Sequence, residues 1–74
     1  MPSLKVFSGQ ALCALLASHG FTAVRQRGSH HVMQKQSADG TITVPVPLHR
    51  EIRIGTLQSI IRQSGLPRSE FCDR

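Results

Sequence analysis

The sequence predicts an α+β fold in which a helix, a three-stranded antiparallel sheet and a second helix follow one another. Two segments, residues 9–19 and 54–64, place leucine and isoleucine three and four positions apart, the spacing of a helix buried on one side. Between them lie three strand-like segments, separated by Gly28-Ser29 and Asp39-Gly40, which are typical of tight hairpin turns. Two helices with one apolar stripe each need a surface to cover. We therefore expect a two-layer sandwich with both helices on one sheet face and the other face open to solvent.

The first helix carries recognisable start and stop signals. Ser8 is suited to cap its N-terminus, and residues 9–19 form the helix itself. Its apolar stripe consists of Leu12, Leu15 and Leu16. Gly20 is expected to take the left-handed conformation that ends a helix, with Phe21 making the hydrophobic contact that accompanies such an end.

The strands are expected at residues 21–27, 30–36 and 41–46, and turn geometry then predicts their register. A two-residue loop at Gly28-Ser29, closed by a type II′ turn, pairs Arg27 with His30, Gln26 with His31, Arg25 with Val32 and Val24 with Met33. A loop at Asp39-Gly40 pairs Lys35 with Val44 and Met33 with Val46. Pro45 cannot donate to a ladder, so its strand belongs at a sheet edge.

Residues that pair directly share a sheet face, so this register separates the side chains into two sets. The helix-facing side is expected to carry Val24, His31, Met33, Ile42, Val44 and Val46. The open face is expected to carry Arg25, Arg27, His30, Thr41 and Thr43. In this register Phe21 also falls on the open face, which conflicts with its apolar character.

The second helix is expected over residues 54–64, ended by Gly65 and prevented from continuing by Pro67. Its apolar face consists of Ile54, Leu57, Ile60 and Ile61. Residues 68–72 are expected to form one more helical turn that returns Phe71 to the core, and residues 1–7 an extended lead-in. Residues 1–74 together are expected to form a single domain.

The charge distribution favours a polyanionic partner. The chain has a formal net charge of +5, and its first 38 residues contain no acidic residue. Nucleic acid is the partner that such a small basic domain indicates first, although positive charge can also serve solubility alone. No segment has the apolar length of a membrane span or signal peptide. Two cysteines without a CxxC motif indicate neither a metal site nor a disulfide framework, so we expect a cytoplasmic protein without metal or cofactor.

The hairpin end at residues 25–31 brings arginines and histidines together. RNA cleavage needs a base for the 2′-hydroxyl proton, an acid for the leaving 5′-oxygen, and cations around the phosphate. Histidine serves in either proton-transfer role and arginine binds phosphate, so His30 is the candidate catalytic residue of a metal-independent, RNA-restricted reaction. His31 on the other face is expected to be structural. Two alternatives stay open: an RNA-binding module without catalysis, and a domain that only docks onto a partner protein.

Three blocks of sequence resemble one known family. They are Arg27-Gly28-Ser29-His30-His31 after a Gly-Phe helix exit, Val44-Pro45-Val46, and Gly55-Thr56-Leu57 followed by residues 60–66. In order and length they resemble the HicA, or YcfA-like, toxins across essentially the whole chain.

The resemblance implies a fold similar to a double-stranded RNA-binding domain and a ribosome-independent mRNA interferase from a type II toxin–antitoxin system. It assigns the catalytic role to His30. It also implies a HicB-type antitoxin as the partner, which neutralises the toxin by covering this site. We expect a monomer when the protein is free and a larger complex with the antitoxin. The candidate RNA-binding residues are Arg25, Arg27, Gly28, Ser29 and Lys35. Residues 47–50 depart from the family pattern, so no role is carried over to His49.

Overall fold

The computed structural model describes residues 3–73, and its elements follow the predicted order. They are α1 (Gly9–Ser18), β1 (Thr22–Arg27), β2 (His30–Ser37), β3 (Gly40–Pro47), α2 (Ile54–Ser64) and a short 3-10 helix (Arg68–Phe71). The strands form one antiparallel sheet in the order β1-β2-β3, which makes β3 an edge strand, as Pro45 required. The predicted α+β fold is confirmed.

Both helices bury their apolar stripes against the same side of the sheet. Side chains of α1, α2, β2 and β3 meet there in one continuous core, which includes Leu12, Leu16, Met33, Val44, Val46, Leu57 and Ile60. His31 lies opposite Val46 in the ladder, so its side chain projects from the helix-facing side, whereas the side chain of His30 projects from the open face. The layer arrangement therefore separates the two histidines.

The ends of α1 form as its local sequence predicts, although the helix stops one residue earlier. The Ser8 hydroxyl accepts a hydrogen bond from the backbone N–H of Ala11 at 3.0 Å. Gly20 has a φ of 94°, and the N–H of Phe21 donates to the carbonyl of Leu16 at 3.1 Å. This six-to-one bond is the Schellman arrangement, and it directs Phe21 into the core.

The first hairpin differs from its predicted register beyond the three pairs nearest the turn. The predicted pairing of Val24 with Met33 is wrong, because Met33 lies opposite Ala23 and Val24 is the extra residue of a β-bulge. Val24 is 45% exposed instead of lying beneath the helices. One inserted residue reverses the face of every residue before it, so Phe21 reaches the core and the conflict in the sequence prediction disappears.

The second hairpin turns one residue earlier than the sequence predicted, which shifts its register by two residues. Its loop is Ala38-Asp39, and Gly40, with a φ of 125°, already opposes Ser37 as the first residue of β3. The following two predicted pairs are therefore wrong: Lys35 with Val44, and Met33 with Val46. Met33 instead opposes Val44. A register shift of two residues preserves the face of every side chain, so the predicted division of β2 and β3 into two faces holds.

Helix α2 spans the predicted residues and ends at Gly65, which has a φ of 72°. Leu57 and Ile60 are buried, but Ile54 is 59% exposed and its predicted place on the buried face is wrong. Side chains on a helix lean toward the N-terminus, so that of the first residue projects past the end of the helix.

The two ends of the described chain lie side by side. Leu4 forms an isolated antiparallel bridge with Cys72, and the N–H of Lys5 donates to the carbonyl of Phe71 at 2.9 Å. Phe71 is fully buried and meets Phe7 edge to face, with 6.1 Å between ring centroids. The expected helical turn is confirmed over Arg68–Phe71. Of the expected extended lead-in, Leu4 lies in a strand-like bridge, and the first two residues lie outside the described residues.

Candidate active site

The turn that joins β1 and β2 depends on one glycine. Gly28 has a φ of 59°, and across residues 3–73 positive φ angles occur only at glycines, so Ser29 does not share this conformation. A positive φ at the first loop residue and not at the second agrees with the type II′ turn predicted from the sequence, because type I′ needs a positive φ at both. A Cβ atom at position 28 would meet nothing within 4 Å, so the glycine is required by its backbone angle and not by lack of space.

His30 is exposed at the first position of β2, directly opposite Arg27. Cβ atoms of such a pair lie about 5 Å apart, and Arg25 is the diagonal neighbour at about 7–8 Å. The Nδ1 atom of His30 is 3.5 Å from the Ser29 hydroxyl, at the outer limit of hydrogen bonding. Within residues 3–73, Nε2 of His30 has no hydrogen-bond partner and is free for a ligand.

The side chains around His30 enclose an open depression of about 350 Å³, here called the open-face depression. It is lined by Arg25, Arg27, His30, Val32, Thr43 and Pro45. Val32 is buried although it lies on the open face, and with Pro45 it supplies an apolar floor beneath the charged groups. The open-face depression therefore combines an apolar floor with positively charged side chains.

Positive charge in the open-face depression is not neutralised by neighbouring acids. No carboxylate lines it, and neither arginine takes part in an ion pair within the described chain. Within residues 3–73, the contact between a basic side chain and a carboxylate lies elsewhere: Nε2 of His19 is 2.9 Å from Oε1 of Glu70, at the C-terminal end of α1. Arg25 and Arg27 therefore keep their guanidinium groups available for an anion.

His31 takes part in a side-chain bridge that braces the turn from the helix-facing side. Its Nε2 atom is 3.2 Å from Oε1 of Gln26, and Nε2 of the same glutamine donates to the carbonyl of Gly28 at 3.2 Å. The bridge ties β2 to β1 and both to the turn. This contact is consistent with the structural role expected from the sequence.

The family of the chain follows from its match to a model of the HicA toxins of bacterial toxin–antitoxin systems. The match covers residues 9–66 of the 74, from the start of α1 to just past the end of α2, and so includes the whole hairpin and the sheet. The chain belongs to the HicA toxin family. A comparison with curated proteins gave no significant match. As a HicA-family member, the protein is the toxin of a toxin–antitoxin system and has an antitoxin partner.

One candidate residue of this HicA-family chain lies apart from the others. Lys35 opposes Ile42, on the helix-facing side, and its ammonium lies 5.8 Å from the centroid of the Phe21 ring. Lys35 is five positions further along β2 than His30, about 16 Å at the rise of a β-strand. The structure brings Arg25 and Arg27 to His30 but does not bring Lys35 there.

Sequence interpretation gave no role to the loop after β3, yet this loop lies beside the HicA-family hairpin. The N–H of Leu48 donates to the carbonyl of Ser29 at 2.7 Å. The loop, His31 and the start of α1 enclose a second hollow of about 380 Å³, here called the loop-side depression. It is lined by Ser8, Gln10, His31, Leu48, His49 and Arg50. The observed strand register, which places Pro47 opposite His30, brings the loop to this position.

Two further observations concern the described residues of the HicA-family chain. Across residues 3–73, no three His, Cys, Asp or Glu side chains lie together as ligands for a metal ion. None of the helices in that range has both the length and the apolar composition needed to cross a membrane.

Proposed function

We propose that this HicA-family toxin is a metal-independent endoribonuclease that cleaves mRNA, with His30 as a general acid or base. The observation that carries the proposal is the position of His30. Its ring is exposed at a depression that also presents Arg25 and Arg27, and within residues 3–73 its Nε2 makes no hydrogen bond and neither arginine forms an ion pair. An imidazole beside two guanidinium groups is suited to move a proton next to a bound phosphate.

The reaction uses the nucleophile that RNA itself carries. The 2′-oxygen bonds to the neighbouring phosphorus while the bond from phosphorus to the 5′-oxygen breaks, leaving a 2′,3′-cyclic phosphate and a 5′-hydroxyl. One group must remove the 2′-proton and another must protonate the leaving oxygen. His30 performs one of these transfers, neutral if it is the base and protonated if it is the acid.

The neighbouring residues supply charge and shape. Arg25 and Arg27 bind the phosphate oxygens and stabilise the charge that develops in the transition state. Gly28 and Ser29 form the turn that sets the position of His30. Lys35 is left with a contact to a more distant part of the RNA, because it stands on the other side of the sheet.

The antitoxin is proposed to be of the HicB type and to neutralise the toxin by covering the open-face depression. An exposed basic surface is complementary to an acidic segment of such a partner. The protein is proposed to be a monomer when free and to act in the cytoplasm, where mRNA is accessible.

The test is cleavage of a labelled single-stranded RNA by the purified toxin in the presence of EDTA. We expect products that end in a 2′,3′-cyclic phosphate, identified by mass spectrometry. We also expect no cleavage of the same strand with 2′-deoxyribose. His30→Ala should lower the rate by about 10²–10⁴-fold, the usual contribution of a positioned acid or base.

His19→Ala is the matched control, since it removes the same ring from a site at the far end of α1. It should cleave RNA at the wild-type rate. Wild-type activity in His30→Ala would exclude the catalytic assignment. RNA binding without cleavage by the wild-type protein would instead favour the non-catalytic RNA-binding module.

A further inference from the structure

We propose that the loop-side depression is a second phosphate-binding site, which holds the cleaved strand of RNA at a phosphate near the one that reacts at His30. This inference rests on the proposed function, and it specifies the substrate further as single-stranded RNA. The site involves the side chains of His31, His49 and Arg50.

The depression is built on backbone contacts between three separate elements. The Leu48 N–H binds the carbonyl of Ser29 at 2.7 Å, and the Gly9 N–H binds the carbonyl of His49 at 2.8 Å. Gly9 packs so closely that a Cβ atom there would collide with the carbonyl oxygen of Pro47. The hairpin turn, the loop and the start of α1 are therefore held together, and the loop side chains project from a fixed backbone.

The chemistry of the lining residues selects an anion. One arginine and two histidines face the depression, together with the polar Ser8 and Gln10, and no carboxylate lines it. Arg50 takes part in no ion pair within residues 3–73. The guanidinium of Arg50 and the imidazole of His49 offer several N–H donors, the arrangement that phosphate oxygens accept.

Hydrogen bonding also determines which nitrogen of His31 can reach a ligand. The carbonyl of Gly28 can only accept, so the amide nitrogen of Gln26 must face it and Oε1 must face His31. Oε1 can only accept in turn, so Nε2 of His31 carries a proton. Nδ1 makes no hydrogen bond within residues 3–73, so it is the ring nitrogen left for a ligand, and an imidazole that carries hydrogen on both nitrogens donates from both.

The positions of the two depressions determine the class of RNA. His30 and His31 are consecutive, yet His30 lines the open-face depression and His31 lines the loop-side depression. The two depressions lie on opposite faces of the sheet, at the end closed by the two-residue turn. A flexible single strand can bend around this turn and contact both faces. A rigid A-form duplex can lie against only one of them, because its backbone cannot fold around an edge this thin.

The test is RNA binding by the double variant His49→Ala/Arg50→Ala, made in a His30→Ala background so that the RNA stays intact. Both side chains are exposed, so their removal leaves the core and the backbone bonds in place. Fluorescence anisotropy with a single-stranded 12-mer is expected to show affinity about tenfold weaker. The slope of log K against log salt should fall by about 0.7, the value for one phosphate contact on a single strand.

His19→Ala/Arg62→Ala is the matched control, because it removes the same two side-chain types from surfaces away from both depressions. We expect it to retain the affinity and salt slope of the His30→Ala parent. If the loop variant also retains them, the second phosphate site is excluded. The affinity of both variants for duplex RNA should equal that of the parent. If the loop variant loses as much affinity for duplex RNA as for the single strand, a strand that bends around the turn is excluded.

A kinetic comparison follows in the active protein with His30 present. The loop variant should lower kcat/KM about tenfold for the 12-mer but leave cleavage of a dinucleotide, which has a single phosphodiester, unchanged. Equal loss on both substrates would contradict a separate subsite. The anisotropy measurement does not depend on cleavage. If the toxin binds RNA without cutting it, the proposed nuclease activity is refuted, and the anisotropy measurement still shows whether the second phosphate site exists.

Discussion

Replacing Gly9 by alanine tests the close contact between α1 and the loop after β3, on which the loop-side depression is built. Gly9 is the first residue of α1, where alanine would ordinarily favour the helix. Here, however, the new Cβ would collide with the carbonyl oxygen of Pro47 and lie 2.8 Å from the Cα of Leu48. Both atoms belong to the backbone, so neither can move aside as the end of a flexible side chain would.

The size of the effect follows from three contributions. Overpacking of this kind costs about 1–3 kcal/mol. Separation of α1 from the loop also weakens the 2.8 Å hydrogen bond from the Gly9 N–H to the carbonyl of His49, worth about 1 kcal/mol. Better helix propensity returns at most about 1 kcal/mol. We therefore expect Gly9→Ala to lower the free energy of unfolding by about 1–3 kcal/mol, or Tm by roughly 5–20 °C for a chain of this size.

Urea and thermal unfolding followed by circular dichroism measure this loss. Gly55→Ala is the matched control, because Gly55 also lies in the first turn of a helix but a Cβ atom added there would meet nothing within 4 Å. It should leave the protein as stable as wild type or more stable by up to about 1 kcal/mol. A Gly9→Ala protein with wild-type stability would refute the tight contact between α1 and the loop.

Two further pairs of variants test the turn and the bulge. Gly28→Ala and Gly65→Ala each place a side chain at a positive φ, 59° and 72°, and each should cost about 1–2 kcal/mol in urea unfolding. Only Gly28→Ala should also slow RNA cleavage, when the assay is run well below the unfolding temperatures of both variants. Equal cleavage rates in the two variants would show that the turn at Gly28 does not affect activity. Val24→Thr should change stability by less than about 0.5 kcal/mol because the bulge exposes this residue, whereas Val44→Thr places a hydroxyl in the core at a cost of about 1–3 kcal/mol. Equal costs for the two threonines would contradict the bulge.

Features of the fold that depend only on residues close together in the chain could be predicted from the sequence. The bounds of α2 agree with the prediction, and α1 begins at the predicted cap, because periodicity and capping involve residues within about one helical turn. Arg27 opposes His30 for the same reason, since a two-residue loop leaves one possible pairing next to the turn. The face that carries His30 could therefore be predicted without knowledge of the tertiary structure.

Further along the strands, distant packing overrode the local signal. Phe21 enters the core at the end of α1, and a bulge at Val24 reconciles that requirement with the register at the turn. Asp39-Gly40 suggested a two-residue loop, but Gly40 pairs with Ser37 instead, and the Ser37 hydroxyl donates to its carbonyl at 2.8 Å. Either turn preserves the buried set of side chains, so the hydrophobic pattern could not distinguish them.

The sequence by itself determined the order of helices and strands, the resemblance to the HicA family, and the arginines that accompany His30 on the open face. These depend on spacing along a short stretch of chain. Only the tertiary structure decided that His49 and Arg50 lie beside His31. Those positions depend on where the end of β3 passes the hairpin turn and the start of α1. That proximity is fixed by packing and by backbone hydrogen bonds between segments far apart in the chain, which no local pattern specifies.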